Sequence, residues 1–160
     1  MNTPTRRIRN VENVERQFLQ SLPTFGPASQ RWAAIIGAVI QLATDVRTVD
    51  EWAHAIGRSR GTIKCWCAAA RITARESLLF ARMLRAVVRY SGKPWNIQDI
   101  LDVVDPRTLN RILCRAGLER QPASPPDIAS FLEAQRFVTA PALLAAVRER
   151  LAQLRAIDRC

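Results

Sequence analysis

Residues 49–68, VDEWAHAIGRSRGTIKCWCA, constrain the fold of this chain most strongly. The positions that share one face at helical spacing are apolar: Trp52, Ala53, Ile56, Ile63 and Trp66. Between them stands Gly57, and glycine ends helices because it enters the left-handed conformation at little cost. The segment therefore predicts two short helices that cross at a tight turn, as in a helix-turn-helix unit.

Thr48, Ser59 and Thr73 are predicted to cap helices, and apolar spacing predicts further helices on both sides of this segment. No run of residues predicts a strand, and a second helix-turn-helix unit is expected around the helix at 106–116. The fold class that follows is all-α, with two helix-turn-helix subdomains joined by a long linker helix and extra helices at the C-terminus. The predicted helices cover residues 11–22, 29–44, 48–56, 59–71, 73–90, 97–101 and 106–116.

The same pattern predicts four segments. They are an N-terminal arm with a short helix (1–28), a DNA-binding domain (29–120), a linker (121–126) and a C-terminal helical appendage (127–160). In the appendage, leucines and a valine recur at three- and four-residue steps between Leu144 and Leu154. Such a face pairs either with a second subunit or with the chain's own core. Residues 127–157 are accordingly a candidate surface for a homodimer or a protein partner.

Positive charge is concentrated in one part of the chain. The net charge is +10, and 22 of the 24 basic residues are arginine. Residues 58–93 hold nine basic residues and one acidic residue, a net charge of 9 − 1 = +8. A local basic block on a nearly neutral remainder is typical of nucleic-acid binding, although a solvated arginine-rich surface has the same composition.

The sequence offers little for catalysis or metal binding. Cys65 and Cys67 are one residue apart, which is not the spacing of a zinc site, and His54 is the single histidine. Paired carboxylates beside a nucleophile and a phosphate-binding glycine loop are lacking. We therefore expect no enzyme activity, no cofactor and no metal. We expect neither a membrane span nor a secretory signal, hence a cytoplasmic protein associated with the bacterial nucleoid.

The outward faces of two predicted helices carry candidate contacts to DNA bases. Arginine reads guanine and asparagine reads adenine through paired hydrogen bonds, and lysine also donates to guanine. The candidates on helix 59–71 and helix 106–116 are Arg60, Gly61, Lys64, Cys65, Arg107, Asn110 and Arg111. Four arginines of the linker helix fall within an arc of about 80° and form a candidate phosphate-binding row. The predicted phosphate contacts are Arg58, Arg75, Arg82, Arg85, Arg89 and Arg115.

From Arg31 to Leu118 the chain resembles the DNA-binding domain of AraC-family transcription regulators. The resemblance rests on a first unit in TVDEWAHAIGRSRGTIKCWC, a linker helix in ARESLLFARMLRAVV and a second unit in NIQDILDVVDPRTLNRILCRAGL. It implies two recognition helices in adjacent major-groove segments, with Gly61, Lys64 and Cys65 as the first reading positions and Arg107, Asn110 and Arg111 as the second. The second unit departs from the family's usual Ala-x-x-x-Gly turn.

Two functions follow as alternatives. The first is a sequence-specific transcription regulator that binds double-stranded DNA. No small-molecule effector is expected, because the residues before the resemblance are too few for the family's sensory barrel. The second is a non-enzymatic adaptor or architectural protein that uses the helices for protein–protein or non-specific DNA contacts.

Overall fold

The computed structural model describes Leu22 and residues 26–92, 94–118 and 120–157. The N-terminal arm and most of the short helix predicted over 11–22 lie outside these residues, whereas Leu22 is buried. The described residues contain helices and no strand, so the predicted all-α class is confirmed. The helices are α1 (Ala28–Gln41), α2 (Val49–Ala55), α3 (Arg60–Ala69), α4 (Ala74–Val88), α5 (Ile97–Leu101), α6 (Pro106–Arg115), α7 (Ile128–Ala134) and α8 (Pro141–Ile157).

Side chains cap α2, α3 and α4 at the predicted residues, whereas α1 begins at Pro27 without a side-chain cap. The hydroxyl of Thr48 accepts the backbone N–H of Glu51 at 3.1 Å at the start of α2. Ser59 and Thr73 do the same for α3 and α4, at 3.0 and 3.1 Å. Each cap binds an N–H that the first turn of a helix leaves without a partner. These local contacts set where the three helices begin.

Helix α1 lies at the centre of the molecule. Its residues 32–40 are all buried, so the helix is covered on every side, and not only along the apolar face that its sequence shows. It packs against α3, α4 and α8. The ring of Trp32 in α1 stacks on Phe80 in α4 at 5.8 Å, and Phe80 stacks on Phe131 in α7 at 6.2 Å. Three helices thus meet in one aromatic stack.

The C-terminal helices belong to the same core. The apolar side chains of α8 that are buried are Leu143, Ala146, Val147, Leu151 and Leu154. Among the helices of the described residues, α8 and α1 form the most extensive contact. Of the two alternatives for this apolar face, the structure shows packing on the chain's own core. The linker at 121–126 therefore does not separate two cores.

Gly117 holds α6 close to α7, which leads to a first prediction. Its φ is +75°, and an added Cβ would lie 2.6 Å from the carbonyl oxygen of Ala134. Gly57 has a similar φ of +64° but open space around it. We expect Gly57→Ala to lower the free energy of unfolding by about 1 kcal/mol through backbone strain. Gly117→Ala should cost about 1–3 kcal/mol more, because the α6–α7 contact must also open.

Urea denaturation followed by far-ultraviolet circular dichroism measures both losses. The Gly57→Ala protein is the matched control, because it introduces the same methyl group in the same backbone conformation. Equal losses in the two proteins would contradict the close approach of α6 to α7.

Candidate nucleic-acid interface

An open groove runs along α3 on the side that Arg60, Lys64 and Ala68 face. These residues stand at positions i, i+4 and i+8, which share one face of a helix. The groove has a volume of about 780 Å³. Its other wall consists of residues 47–49, before and at the start of α2, and residues 71–76 around the start of α4. The predicted basic face of α3 is thus one side of a concave surface.

A second groove, of about 530 Å³, runs along α6 beside Thr108, Arg111 and Arg115. The two grooves share lining residues, so they adjoin each other. The shared residues are Arg47, Arg75, Glu76 and Leu78. Both α3 and α6 therefore lie beside the first turns of α4.

We call the joined grooves the basic channel. Its acidic residues are Glu76 and Asp102, and its eight basic residues are Arg47, Arg60, Lys64, Arg71, Arg75, Arg82, Arg111 and Arg115. Such an excess of one sign of charge in a concave surface attracts anions.

Half of these basic side chains already have acidic partners. The ion pairs are Arg47–Asp102 at 2.6 Å, Arg60–Asp50 at 3.3 Å, Arg82–Asp45 at 2.6 Å and Arg115–Glu76 at 3.0 Å. The other four form no side-chain hydrogen bond or ion pair with the described part of the chain: Lys64, Arg71, Arg75 and Arg111. These four offer donors to a ligand without first breaking a contact.

Glu76 fixes one wall of the basic channel. Hydrogen bonds from Arg115 and then from Thr73 lower the pKa of its carboxyl group, so the carboxylate form is favoured at neutral pH. The guanidinium of Arg115 also lies 5.0 Å from the centre of the Phe137 ring. Arg115, a predicted phosphate contact, is therefore anchored between α4 and the segment that follows α7.

All seven predicted base contacts are exposed, but they do not share one surface. Arg60, Lys64 and Arg111 line the basic channel. Gly61 and Cys65 lie on the neighbouring strip of α3 and line neither groove. Arg107, on α6, also lies outside the basic channel. A separate cleft between α6 and α7 is lined by Asn110, Cys114, Gly117, Leu118, Glu133, Ala134, Gln135 and Arg136. Consecutive residues of a helix point about 100° apart, so Asn110 and Arg111 face different surfaces.

Three members of the predicted arginine row have partners inside the protein. Nε and Nη2 of Arg82 donate to Asp45 Oδ2 at 3.0 and 2.6 Å, and Nη2 also donates to the Leu101 carbonyl at 3.0 Å. Arg85 Nη2 donates to the carbonyls of Leu42 and Ala43, both at 3.0 Å. Arg89 Nη1 donates to the same Leu42 carbonyl.

These contacts occupy donors of all three guanidiniums, but Arg89 is still exposed, so the phosphate role of Arg82, Arg85 and Arg89 stays a prediction. A helix ends with carbonyl groups that lack partners inside the helix, and cations near that end are favourable. Arg85 and Arg89 supply donors to carbonyls just beyond the last turn of α1. Arg82, which is only 8% exposed, binds Asp45 and the Leu101 carbonyl at the end of α5 instead. Arg75 alone of the row is exposed in the basic channel. Arg58, another predicted phosphate contact, is half-buried and lies outside the channel.

Sequence reasoning assigned no role to Arg47 or Arg71, although both line the basic channel. Arg47 precedes the Thr48 cap, and its backbone N–H donates to Glu51 Oε2 at 2.7 Å. Arg71 follows α3 with a φ of 59°. The signal for Arg71 in the sequence is its place in the basic block at residues 58–93.

Among the described residues no three His, Cys, Asp or Glu side chains come together as metal ligands. Cys65 and Cys114 are exposed, whereas burial raises the pKa of the Cys67 thiol to about 11. Within the same residues, every helix is too short or too polar to cross a membrane. Comparison with protein-family models, with the curated proteins and with the solved structures finds no match to this chain.

Proposed function

We propose that the protein is a DNA-binding transcription regulator resembling the AraC family, acting on the bacterial nucleoid in the cytoplasm. Helices α3 and α6 are its recognition helices and enter adjacent major-groove segments of double-stranded DNA. The observation that carries the proposal is the placement of Lys64 and Arg111, exposed and unpaired, on two walls of one basic channel. The two predicted units thus present donors to a common ligand.

The channel fits the part of DNA that lies between two major-groove segments. A major groove about 12 Å wide admits a helix, and the intervening surface of the duplex is sugar–phosphate backbone. In this arrangement the backbone enters the channel between α3 and α6. Unpaired basic side chains there neutralise phosphates and release counterions, which makes binding strongly dependent on salt. Lys64 and Arg111 then donate to guanine edges on either side.

Single substitutions at these two positions test the proposal. A good base contact contributes about 1–3 kcal/mol of discrimination, so Lys64→Ala and Arg111→Ala should each weaken binding to a selected site about 5- to 150-fold. Binding to random duplexes should weaken much less. The assay selects a site from a random library with the native protein and then measures affinities for the selected and random duplexes at two salt concentrations.

Arg148→Ala is the control, because this exposed residue on α8 carries the same charge away from the channel. It should leave the preference for the selected site unchanged. Equal losses on selected and random DNA would show that Lys64 and Arg111 are not readers. If the native protein does not bind duplex DNA, the proposal itself is wrong.

A second candidate function is an architectural protein that binds DNA without reading its sequence. The feature that favours it is the strip of α3 that holds Gly61 and Cys65, both exposed, where longer reading side chains would be expected. The library selection separates the two functions, because an architectural protein enriches no sequence. The related adaptor function would use residues 127–157, whose apolar face on α8 is already buried against α1.

A further inference from the structure

Four of the helices in the described part of the chain end in the same way. A residue one or two positions after the last helical residue adopts the left-handed conformation, and the N–H of the residue that follows it donates to a carbonyl five positions earlier. These closing bonds are Arg58 N–H to Ala53, Ile72 to Cys67, Val103 to Gln98 and Leu118 to Leu113. The left-handed residues are Gly57 (φ 64°), Arg71 (59°), Asp102 (52°) and Gly117 (75°). Glycine is the usual residue at this position because it has no Cβ to clash.

The two exceptions to glycine both line the basic channel. Asp102 tolerates the left-handed conformation comparatively well, and its carboxylate holds Arg47 Nη1 at 2.6 Å on the channel wall. Arg71 lacks the short polar side chain that eases this conformation. Non-glycine residues persist in strained conformations where their side chains contribute to function, which makes the strain a reason to look for a ligand.

Arg71 stands where such a ligand would pass. It lies in the turn between α3 and α4, on the stretch of channel wall that leads from Lys64 to Arg75. Its side chain is exposed and forms no hydrogen bond or ion pair with the described residues. Its guanidinium is therefore available to an anion inside the channel.

We propose that Arg71 binds a backbone phosphate of double-stranded DNA between the two major-groove segments, and that this contact is why arginine occupies a position that favours glycine. The inference rests on the proposed function and adds a contact that is independent of sequence. It predicts opposite effects of one substitution: removal of Arg71 stabilises the free protein and weakens its binding to DNA.

The test compares Arg71→Gly, Arg71→Lys and Arg148→Ala with the native protein. Thermal denaturation without DNA should show Tm raised by about 2–4 °C for Arg71→Gly, since strain is relieved in a chain of this size. Fluorescence anisotropy with a labelled 30-base-pair duplex of random sequence, over a range of salt concentrations, gives the second readout. The slope of log affinity against log salt should fall in magnitude by about 0.9 for Arg71→Gly.

Arg71→Lys keeps the charge and should retain both the native slope and the native Tm. Arg148→Ala removes one charge outside the channel and should also retain the slope. A native slope in Arg71→Gly, or a Tm below that of the native protein, would overturn the inference. If the native protein binds this duplex while Arg71→Gly binds equally well, only the Arg71 contact is wrong. If the native protein fails to bind any duplex, the proposed function and the inference both fail.

Discussion

A chain that ends at residue 126 is expected not to reach the native fold. This truncation removes α7 and α8, and with them the buried Phe131 and Leu132 and five buried apolar residues of α8. Burial of one such large side chain contributes roughly 1.5–3 kcal/mol, whereas a whole domain is stable by about 5–15 kcal/mol. The loss also leaves one side of α1 open to water. We expect reduced helical circular dichroism and no cooperative urea transition.

A chain that ends at residue 157 is the matched control, because the last buried side chain of α8 is Leu154. It should unfold cooperatively with nearly the native midpoint. Cooperative unfolding of the shorter chain, with a native-like spectrum for residues 29–120, would contradict the single shared core. It would instead support the separate domain that the sequence predicts over those residues.

Phe80→Ala is expected to lower the free energy of unfolding by about 3–5 kcal/mol, the usual cost of removing a fully buried phenylalanine ring. Phe80 is 0% exposed and lies between Trp32 and Phe131, at ring distances of 5.8 and 6.2 Å. Its removal opens a cavity at the point where α1, α4 and α7 meet. For a chain of this length the loss corresponds to a fall in Tm of roughly 6–20 °C.

Tyr90→Ala removes another aromatic ring, and it is the control for Phe80→Ala. Tyr90 is 39% exposed and touches Trp95 edge to face at 6.1 Å. Its loss should cost well under half as much as the loss of Phe80, since part of the ring already contacts water. Circular dichroism in urea measures both changes. Equal costs would show that Phe80 is not the centre of the core.

Features that depend on neighbours in the chain could be predicted from the sequence. The caps at Thr48, Ser59 and Thr73 and the left-handed stop at Gly57 are all where the sequence analysis predicts them. Each arises from hydrogen bonds or backbone sterics within about five residues. The sequence therefore located the starts of α2, α3 and α4 without any knowledge of what surrounds them.

Features that depend on distant segments could not be predicted in the same way. The helical spacing of Arg75, Arg82 and Arg85 showed a basic face but not that the segment after α1 binds Arg82 and Arg85. The apolar face of α8 was visible in the sequence, but its partner was not. Arg47 enters the basic channel only because the segment before α2 folds against α4 and α5. These are products of tertiary packing.

The same limit applies within the candidate site. Arg111 and Asn110 are neighbours in the sequence and were expected to act together. In the structure Arg111 faces the basic channel, whereas Asn110 faces the cleft between α6 and α7. Lys64 and Arg111, in contrast, are far apart in the sequence and share one surface.

Three arginines bind acceptors of their own chain near the ends of α1 and α5, so the formal net charge overstates the number of cations that a ligand can reach. Arg82, Arg85 and Arg89 are held by carbonyls and one carboxylate of their own chain. A lysine in place of Arg82 or Arg85 would preserve the charge but would lose the planar geometry that lets one guanidinium bind two acceptors. A polyanion approaching the protein thus meets fewer available cations than the formal value of +10 implies.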